Sequence, residues 1–225
     1  MNNRFNVLSL ILLLASGLVN AGGVTVGGTR LIYDGGKNEA PLNVTNSDVS
    51  PYLIQSWVET PEGGVEKAPF IITPPLFRLE GNQQNILRVV RTGGNLPNDR
   101  ESLFWLNVKT IPSGSKKEGA NTLQIAVKTR IKLLFRPQGL RGVPEDMADR
   151  LTWSQSGNQL TVTNPTPFIM NFQSVKVGGH EIKNVTYVMP QSQAIFPLQT
   201  GTSGPISWRL ISDYGGTGDL HTNGH

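Results

Sequence analysis

The segment NTLQIAVKTRIKLLFRP, residues 121–137, carries the clearest structural signal in this chain. From position 123 onward, every second residue has a methyl-bearing or aromatic side chain: Leu123, Ile125, Val127, Thr129, Ile131, Leu133 and Phe135. The residues between them are mostly polar, and this period of two over about thirteen residues predicts a β-strand. At roughly 3.3 Å per residue the strand would run on the order of 40 Å, about twice the usual length. We therefore expect its first half to extend beyond its own sheet.

The rest of the chain predicts an all-β protein, with an immunoglobulin-like β-sandwich followed by a second, smaller β domain. Hydrophobic residues make up 37% of the 225 residues, and 25 glycines with 15 prolines provide many turns. About seven alternating strands with turn residues between them precede Pro137, a pattern typical of such a sandwich. Residues 138–153 (QGLRGVPEDMADRLTW) form the best linker, with one helical turn expected at 145–150, and shorter strands resume after it. The polar segment 215–225 (GGTGDLHTNGH) has no expected role in a core.

The first 21 residues have the order of a secretory signal peptide. Arg4 precedes an apolar run from Val7 to Leu14, and small residues end at Ala21. The run is shorter than the roughly 20 residues that span a bilayer, although an uncleaved anchor is the alternative. The predicted organisation is a signal at 1–21, one domain at 22–140 and a second at 141–225. The remaining chain is therefore expected to be exported from the cytoplasm.

Several classes of function find little support in the residues. The absence of cysteine excludes disulfides and thiolate metal sites. His180, His221 and His225 lack the spacing of metal ligands and are expected to be solvated. No G-x-S-x-G motif is present, and a net charge of +4 spread along the chain does not predict nucleic-acid binding. We therefore expect no cofactor, no metal and no enzymatic activity.

Two carboxylates, Glu101 and Asp213, each lie beside an aromatic-rich strand. A glycosidase would need two such groups facing a sugar cleft. The preferred interpretation is structural, with both residues holding an arginine between the domains.

The long strand has the features of a pairing surface. An exposed apolar edge is usually suppressed by charge, proline or a bulge, and none of these interrupts residues 122–127. An extended partner could add to such an edge through main-chain hydrogen bonds. Nearby, Arg30 and Lys132 lie at strand positions and could bind a carboxylate in a cleft, although surface cations are also common on strands.

The chain resembles the PapD-like periplasmic chaperones of the chaperone–usher pilus pathway across essentially all of residues 22–225. The segments that carry the resemblance occur in family order: PYLIQSWVE, FIITPPLFRLE, LPNDRESLFWLNVKTIP, NTLQIAVKTRIKLLFRP, NPTPF and SDYGG. The resemblance implies two immunoglobulin-like domains in a boomerang arrangement, with a subunit-binding cleft between them. The short segment between SLFWLNVKTIP and NTLQIAV resembles the short-loop branch of that family.

The resemblance also implies roles for individual residues. Arg30 and Lys132 match the pair that anchors the C-terminal carboxylate of a pilus subunit. Leu123, Ile125 and Val127 match the alternating residues that the chaperone lends to an incomplete subunit. A charge network between the domains would consist of Glu101, Arg136 and Asp213.

The implied function is to bind and fold fimbrial subunits by donor-strand complementation and to deliver them to an outer-membrane usher. The alternative is a secreted immunoglobulin-like pilin or adhesin module, but such a protein would carry a separate N-terminal donor extension. Here GGVTVGGTRLIY leads directly into the first strand. The exposed apolar edge also predicts that the unloaded protein dimerises through residues 121–129.

Overall fold

The computed structural model describes residues 22–63, 67–113 and 123–223, which form two β-sandwiches. The first sandwich contains β1 Val24–Val26, β2 Arg30–Asp34, β3 Glu39–Asn46, β4 Tyr52–Glu59, β5 Phe70–Thr73, β6 Leu76–Leu79, β7 Gln84–Arg91, β8 Ser102–Pro112 and β9 Val127–Arg136. The second contains β10 Thr152–Ser156, β11 Gln159–Asn164, β12 Met170–Val177, β13 His180–Glu181, β14 Tyr187–Val188, β15 Ser192–Pro197, β16 Ile206–Leu210 and β17 His221–Thr222. A 3₁₀-helix at Pro144–Arg150 precedes β10 and agrees with the short helical turn expected there.

The first sandwich packs a four-stranded sheet, β1-β3-β7-β5, against a five-stranded sheet, β2-β9-β8-β4-β6. Alternation of buried and exposed side chains is regular along β3, as a sheet with one wet face requires. An aromatic cluster lies in the core between the sheets, where the Tyr33 ring centroid is 5.2 Å from that of Phe70. The Tyr33 hydroxyl donates a hydrogen bond to the carbonyl of Asn38 at 2.9 Å, so its polar end is satisfied.

The segment GGVTVGGTRLIY forms two strands rather than the single strand that the sequence predicts. β1 pairs antiparallel with β3, whereas β2 pairs parallel with β9 in the opposite sheet. The crossing occurs at Gly27 and Gly28, and Gly28 has a φ of 133°, which favours glycine. A Cβ on Gly27 would lie 3.1 Å from the Asn43 Cβ. The crossing aligns Arg30 directly with Lys132 on the neighbouring strand.

The long strand is shorter than predicted, since β9 begins at Val127 and residues 123–126 belong to no strand. The last pair of its ladder with β8 is Thr110 with Val127. Two residues later β8 ends at Pro112, which has no N–H to donate. On the other side of β9, the strand β2 begins only opposite Lys132. Residues 127–131 are therefore paired along one edge, and along the other edge no strand of the described residues pairs with them.

The second sandwich packs β10-β11-β15 against β13-β12-β16-β17, with β14 also paired to β12. Its core includes the fully buried Phe168 and Trp208. Ala148 and Leu151, from the predicted linker, also contribute to this core. The second half of that segment therefore belongs to the packed domain.

The prediction that His221 is solvated was wrong, and the polar C-terminal segment forms an edge strand although none of its described residues belongs to the core cluster. β17 pairs with β16, and the backbone N–H of Ile206 donates to the Asn223 side chain at 2.8 Å. The His221 ring stacks on Trp208 with the centroids 5.8 Å apart, and its Nδ1 is 2.6 Å from a carboxylate oxygen of Asp149. A partner strand and an aromatic surface thus outweigh local polarity here. His180 is exposed, as expected, and His225 lies outside the described residues.

Candidate functional site

The two domains meet through an apolar contact on the outer face of the first sandwich. On β9, Leu133 and Phe135 point into the core, so Leu134 points the opposite way. Leu134 is 1% exposed because it packs against Ile169, which is itself fully buried. The full cluster comprises Ile32, Leu103, Leu134, Ile169, Tyr187 and Met189. This contact fixes the neighbouring polar side chains of both domains relative to one another.

A charge network lies beside that contact and joins the domains. The Arg136 guanidinium donates from Nε to Glu101 at 2.8 Å and from Nη1 and Nη2 to Asp213 at 2.7 and 2.9 Å. The second carboxylate oxygen of Glu101 accepts a hydrogen bond from the backbone N–H of Ile169 at 2.8 Å. The structure therefore brings Glu101, Arg136 and Asp213 into direct contact.

Burial and hydrogen bonding perturb the charged groups of this network. Burial raises the pKa of Glu101, although Arg136 and the Ile169 N–H oppose that effect. For Arg136, burial works against the charged form, but the hydrogen bonds that its guanidinium donates to Asp213 and Glu101, together with their negative charges, prevail and raise its pKa. One guanidinium with two carboxylates is a well-satisfied arrangement that suits a fixed domain angle.

Arg30 and Lys132 form a second polar cluster on the same face of the sheet. They are register partners on β2 and β9, and both are partly buried. Arg30 donates from Nη1 to the carbonyl of Ile211 at 3.2 Å. Its Nε is buried without a hydrogen-bond partner among the described residues. Arg30 also lines a cleft of about 680 Å³ whose walls include Asp213 and Tyr214 of the second domain.

The electrostatics of this pair differ from those of Arg136. Burial, assisted by the adjacent Arg30 charge, lowers the pKa of Lys132 to about 8. Burial also lowers the pKa of Arg30, while the more distant Asp213 and Glu145 act in the opposite direction. Two partly desolvated cations side by side favour the binding of an anion between them, and a carboxylate matches the geometry of their hydrogen-bond donors.

Residues Leu123, Ile125 and Val127 lie along the approach to this pair and are 86%, 64% and 54% exposed. Only Val127 lies within β9, whose open edge runs toward Lys132. Residues 121 and 122 lie outside the described part of the chain. The structure thus places an apolar series next to unpaired main-chain groups.

Sequence analysis did not identify two groups of residues near the site. Asn171 and Tyr187 of the second domain contact the Lys132 ammonium, and only their tertiary placement makes this evident. On the sheet face, Lys128 lies 4.9 Å from the Trp57 ring centroid and Arg130 lies 4.5 Å from that of Trp105. Lys128, Arg130 and Lys132 are two residues apart in sequence, which could have indicated that they share one face of the strand. Their aromatic partners lie on other strands, so this spacing could not have identified them.

Within residues 22–63, 67–113 and 123–223, no group of three or more histidine, aspartate or glutamate side chains could hold a metal ion. Across the same ranges, no helix is long and apolar enough to cross a membrane.

Comparison with known protein families matches both halves of the chain. Residues 23–141 match the family model described as pili and flagellar-assembly chaperone, PapD N-terminal domain. Residues 146–222 match the model described as pili assembly chaperone PapD, C-terminal domain.

Individual relatives agree with the family match. The chain is 44% identical to a probable fimbrial chaperone LpfB of Escherichia coli O157:H7, over 99% of this chain and 97% of the relative. It is 46% identical to the chaperone protein FocC of Escherichia coli, over 86% of each chain.

Solved structures show the same likeness. A chain from the Salmonella enterica SafA pilin complex with the SafB chaperone is 43% identical, with a TM-score of 0.84 over 89% of this chain and 95% of that one. The Escherichia coli chaperone DraB is 40% identical, with a TM-score of 0.82 over 90% of this chain and 96% of that one.

Proposed function

Because the chain belongs to the PapD family of pili assembly chaperones, we propose that it binds fimbrial subunits in the periplasm, folds them by donor-strand complementation and delivers them to an outer-membrane usher. Similarity to fimbrial chaperones over nearly the whole chain favours this function over a structural pilin or adhesin. Periplasmic location rests on the predicted signal at residues 1–21, which lies outside the described residues.

The observation that carries the proposal is the open edge of β9 ending at two partly buried cations. A subunit that lacks one strand of its sandwich exposes main-chain groups and a groove lined by core residues. The 127–131 edge can hydrogen-bond to such a subunit, because within the described part of the chain no strand pairs with this side of β9 until β2 begins opposite Lys132. Leu123 and Ile125, which belong to no strand here, would join β9 as the strand lengthens.

Burial of the alternating side chains supplies much of the binding free energy. Each aliphatic side chain that becomes fully buried contributes on the order of 1.5–3 kcal/mol. Ordering of residues 123–126 opposes this gain, since they form no strand in the unbound chain. The bound strand would therefore be held firmly while a subunit's own extension could still displace it.

Arg30 and Lys132 are proposed to anchor the subunit's C-terminal carboxylate. The anchor sets the register of pairing, and register matters because a shift by one residue turns every side chain to the other face. The buried Arg30 Nε has no partner among the described residues and could donate to the carboxylate. Glu101, Arg136 and Asp213 would keep the domains at the angle at which this cleft exists.

Co-expression with a fimbrial subunit encoded beside the chaperone tests the anchor. We expect Lys132→Ala to reduce the soluble subunit recovered with the chaperone at least about tenfold, because it removes a charge-assisted hydrogen bond in a desolvated site. Lys176→Ala, which removes an exposed cation of β12, is the matched control. Equal recovery with Lys132→Ala and the wild type, both folded by circular dichroism, would contradict the anchor.

A further inference from the structure

We propose that Asn171 and Tyr187 are positioning residues of the second domain, which hold the Lys132 ammonium in the geometry that binds a carboxylate. This inference rests on the carboxylate anchor proposed above and assigns part of that anchor to the other domain. Asn171 and Tyr187 are register partners on β12 and β14, just as Arg30 and Lys132 are on β2 and β9. Two cross-strand pairs, one from each domain, therefore meet at the same ammonium group.

Asn171 is fixed before any ligand arrives. Its side chain belongs to a residue only 2% exposed, and its Nδ2 donates to the carbonyl of Ile169 at 3.2 Å. Its Oδ1 accepts a hydrogen bond from Lys132 Nζ. An ammonium can only donate, so this assignment of the amide satisfies both of its ends. The oxygen thus holds one lysine donor in place and leaves the other donors available.

Tyr187 restricts the position of the Lys132 side chain from a second direction. The Lys132 Nζ lies 4.3 Å from the centroid of its ring, within the range of a favourable cation–π contact. The ring itself is packed into the interdomain apolar cluster with Ile169 and Met189. A lysine side chain has up to about 2 kcal/mol of rotamer entropy to lose on ordering. Holding it in advance reduces the cost that would otherwise be incurred on binding.

The same part of the second domain also orients Arg30. The backbone carbonyl of Asn171 accepts from the N–H of Ile211 at 2.8 Å, and the carbonyl of Ile211 accepts from Arg30 Nη1 at 3.2 Å. Both cations therefore depend on one hydrogen-bonded pair, Asn171 and Ile211. A shift of the second domain would disturb both donors together.

The neutrality of Asn171 is part of the argument. Arg30 is the charged neighbour that bears on Lys132, Tyr187 presents its phenol ring, and Trp105 is the uncharged cross-strand partner on β8. Among the described residues, no carboxylate oxygen lies within 4 Å of the Lys132 nitrogen, in contrast to Arg136. An amide oxygen orients the ammonium without cancelling its charge, whereas an aspartate at this position would compete with the ligand.

Two measurements on the full chain test the inference. The first is affinity for a synthetic peptide that reproduces the C-terminal strand of a fimbrial subunit, prepared as the free acid and as the amide. The second is the pH titration of Lys132, followed by NMR of the protein labelled with ¹³C at lysine Cε. We expect the wild type to prefer the acid by about tenfold or more, the range of one charge-assisted hydrogen bond.

Asn171 variants should separate positioning from a purely structural role. Asn171→Leu should reduce the preference for the acid to about threefold or less and move the Lys132 midpoint to lower pH, since a hydrogen bond to the charged form is lost. Asn171→Asp should move the midpoint to higher pH, yet also reduce the preference, because its carboxylate competes. Tyr187→Leu should reduce the preference while leaving Asn171 in place. Opposite shifts of one lysine midpoint are not expected from general loosening.

Gln173→Leu is the matched control, because Gln173 is an exposed amide two residues along the same strand. It should leave both the preference and the titration unchanged. Unchanged preference and midpoint in folded Asn171→Leu and Tyr187→Leu would overturn the inference while leaving the anchor intact. Equal affinity of the wild type for acid and amide would overturn the anchor and the inference together.

Discussion

Lys132 and Arg136 lie four residues apart on the same face of β9, yet among the described residues only the charge of Arg136 is compensated by carboxylates. Arg136 has two carboxylate partners, which raise its pKa despite burial. Lys132 has a neutral amide and an aromatic ring, and burial lowers its pKa to about 8. A fully compensated cation suits a permanent structural contact, whereas an uncompensated one suits a site that gains an anion from a ligand.

The largest effect that this comparison predicts is loss of stability on Arg136→Ala. Removal of the guanidinium leaves Glu101, whose side chain is 0% exposed, without its charge partner. Breaking a buried ion pair from one side costs about 3–5 kcal/mol. Urea unfolding should report a loss of that size in the free energy of unfolding.

Lys176→Ala is the control for Arg136→Ala, since it removes an exposed cation on β12 and should leave stability within about 0.5 kcal/mol. If Arg136→Ala cost no more than this control, the network would not be a structural lock and the comparison would fail.

The next effect concerns Lys132 and depends on pH. Its folded pKa of about 8 lies below the value of 10.5 for an unperturbed lysine, so the folded state holds this proton less tightly than the unfolded chain. The charged lysine therefore disfavours folding below pH 8, and the penalty is lost as the pH rises from 8 to above 10.5. Its size is on the order of 2 kcal/mol after allowance for partial exposure.

The measurement is the free energy of unfolding of wild type minus that of Lys132→Met, from pH 7 to 10.5. Subtraction removes the contribution of the other lysines and tyrosines that titrate in this range. The difference should rise with pH in favour of the wild type. A difference that is flat with pH would mean that Lys132 is as well solvated as a surface lysine.

Alternation within single segments was sufficient to predict an all-β chain and to place Arg30 and Lys132 on strands, because strand side chains alternate by geometry alone. The number of such segments, with turn residues between them, predicted the sandwich class. The positions at which strands begin and end were less predictable. β9 starts at Val127 because its ladder with β8 ends there, and β1 separates from β2 because two glycines allow a crossing. Such limits are set by tertiary pairing, which a single segment does not encode.

The sequence also could not predict the contrast between Lys132 and Arg136, because it shows both residues only as polar positions of one strand. The acceptors come from Asn171 and Asp213, each more than thirty residues away along the chain. The environment of His221 was likewise not predictable from the sequence. Its burial against Trp208 depends on the pairing of β16 with β17, which the polar residues around it do not suggest.

A smaller effect is expected at the open edge of β9. An exposed apolar edge favours pairing with another chain, so the unloaded protein should dimerise weakly through residues 121–129. Sedimentation velocity over a range of concentrations should detect the dimer, and Ile125→Lys should weaken it, because a charge on an edge opposes pairing. Leu220→Lys is the control, since Leu220 is also an exposed aliphatic residue but lies in the second domain. A wild-type monomer at every concentration would contradict the prediction.

The smallest effect is expected for Lys128, another cation on this face of the strand. Lys128 also contacts an aromatic ring, but its side chain is 42% exposed and lies 3.5 Å from a carboxylate oxygen of Glu59. An exposed pair of this kind contributes at most about 1 kcal/mol, so Lys128→Ala should change stability little. It should also leave the preference for a free C-terminal carboxylate unchanged in the acid and amide peptide assay. If Lys128→Ala abolished that preference as Lys132→Ala is expected to, positive charge on the face would suffice for anchoring. Retention of the preference would instead mean that desolvation, and the acceptors of the second domain, distinguish Lys132 from its neighbours.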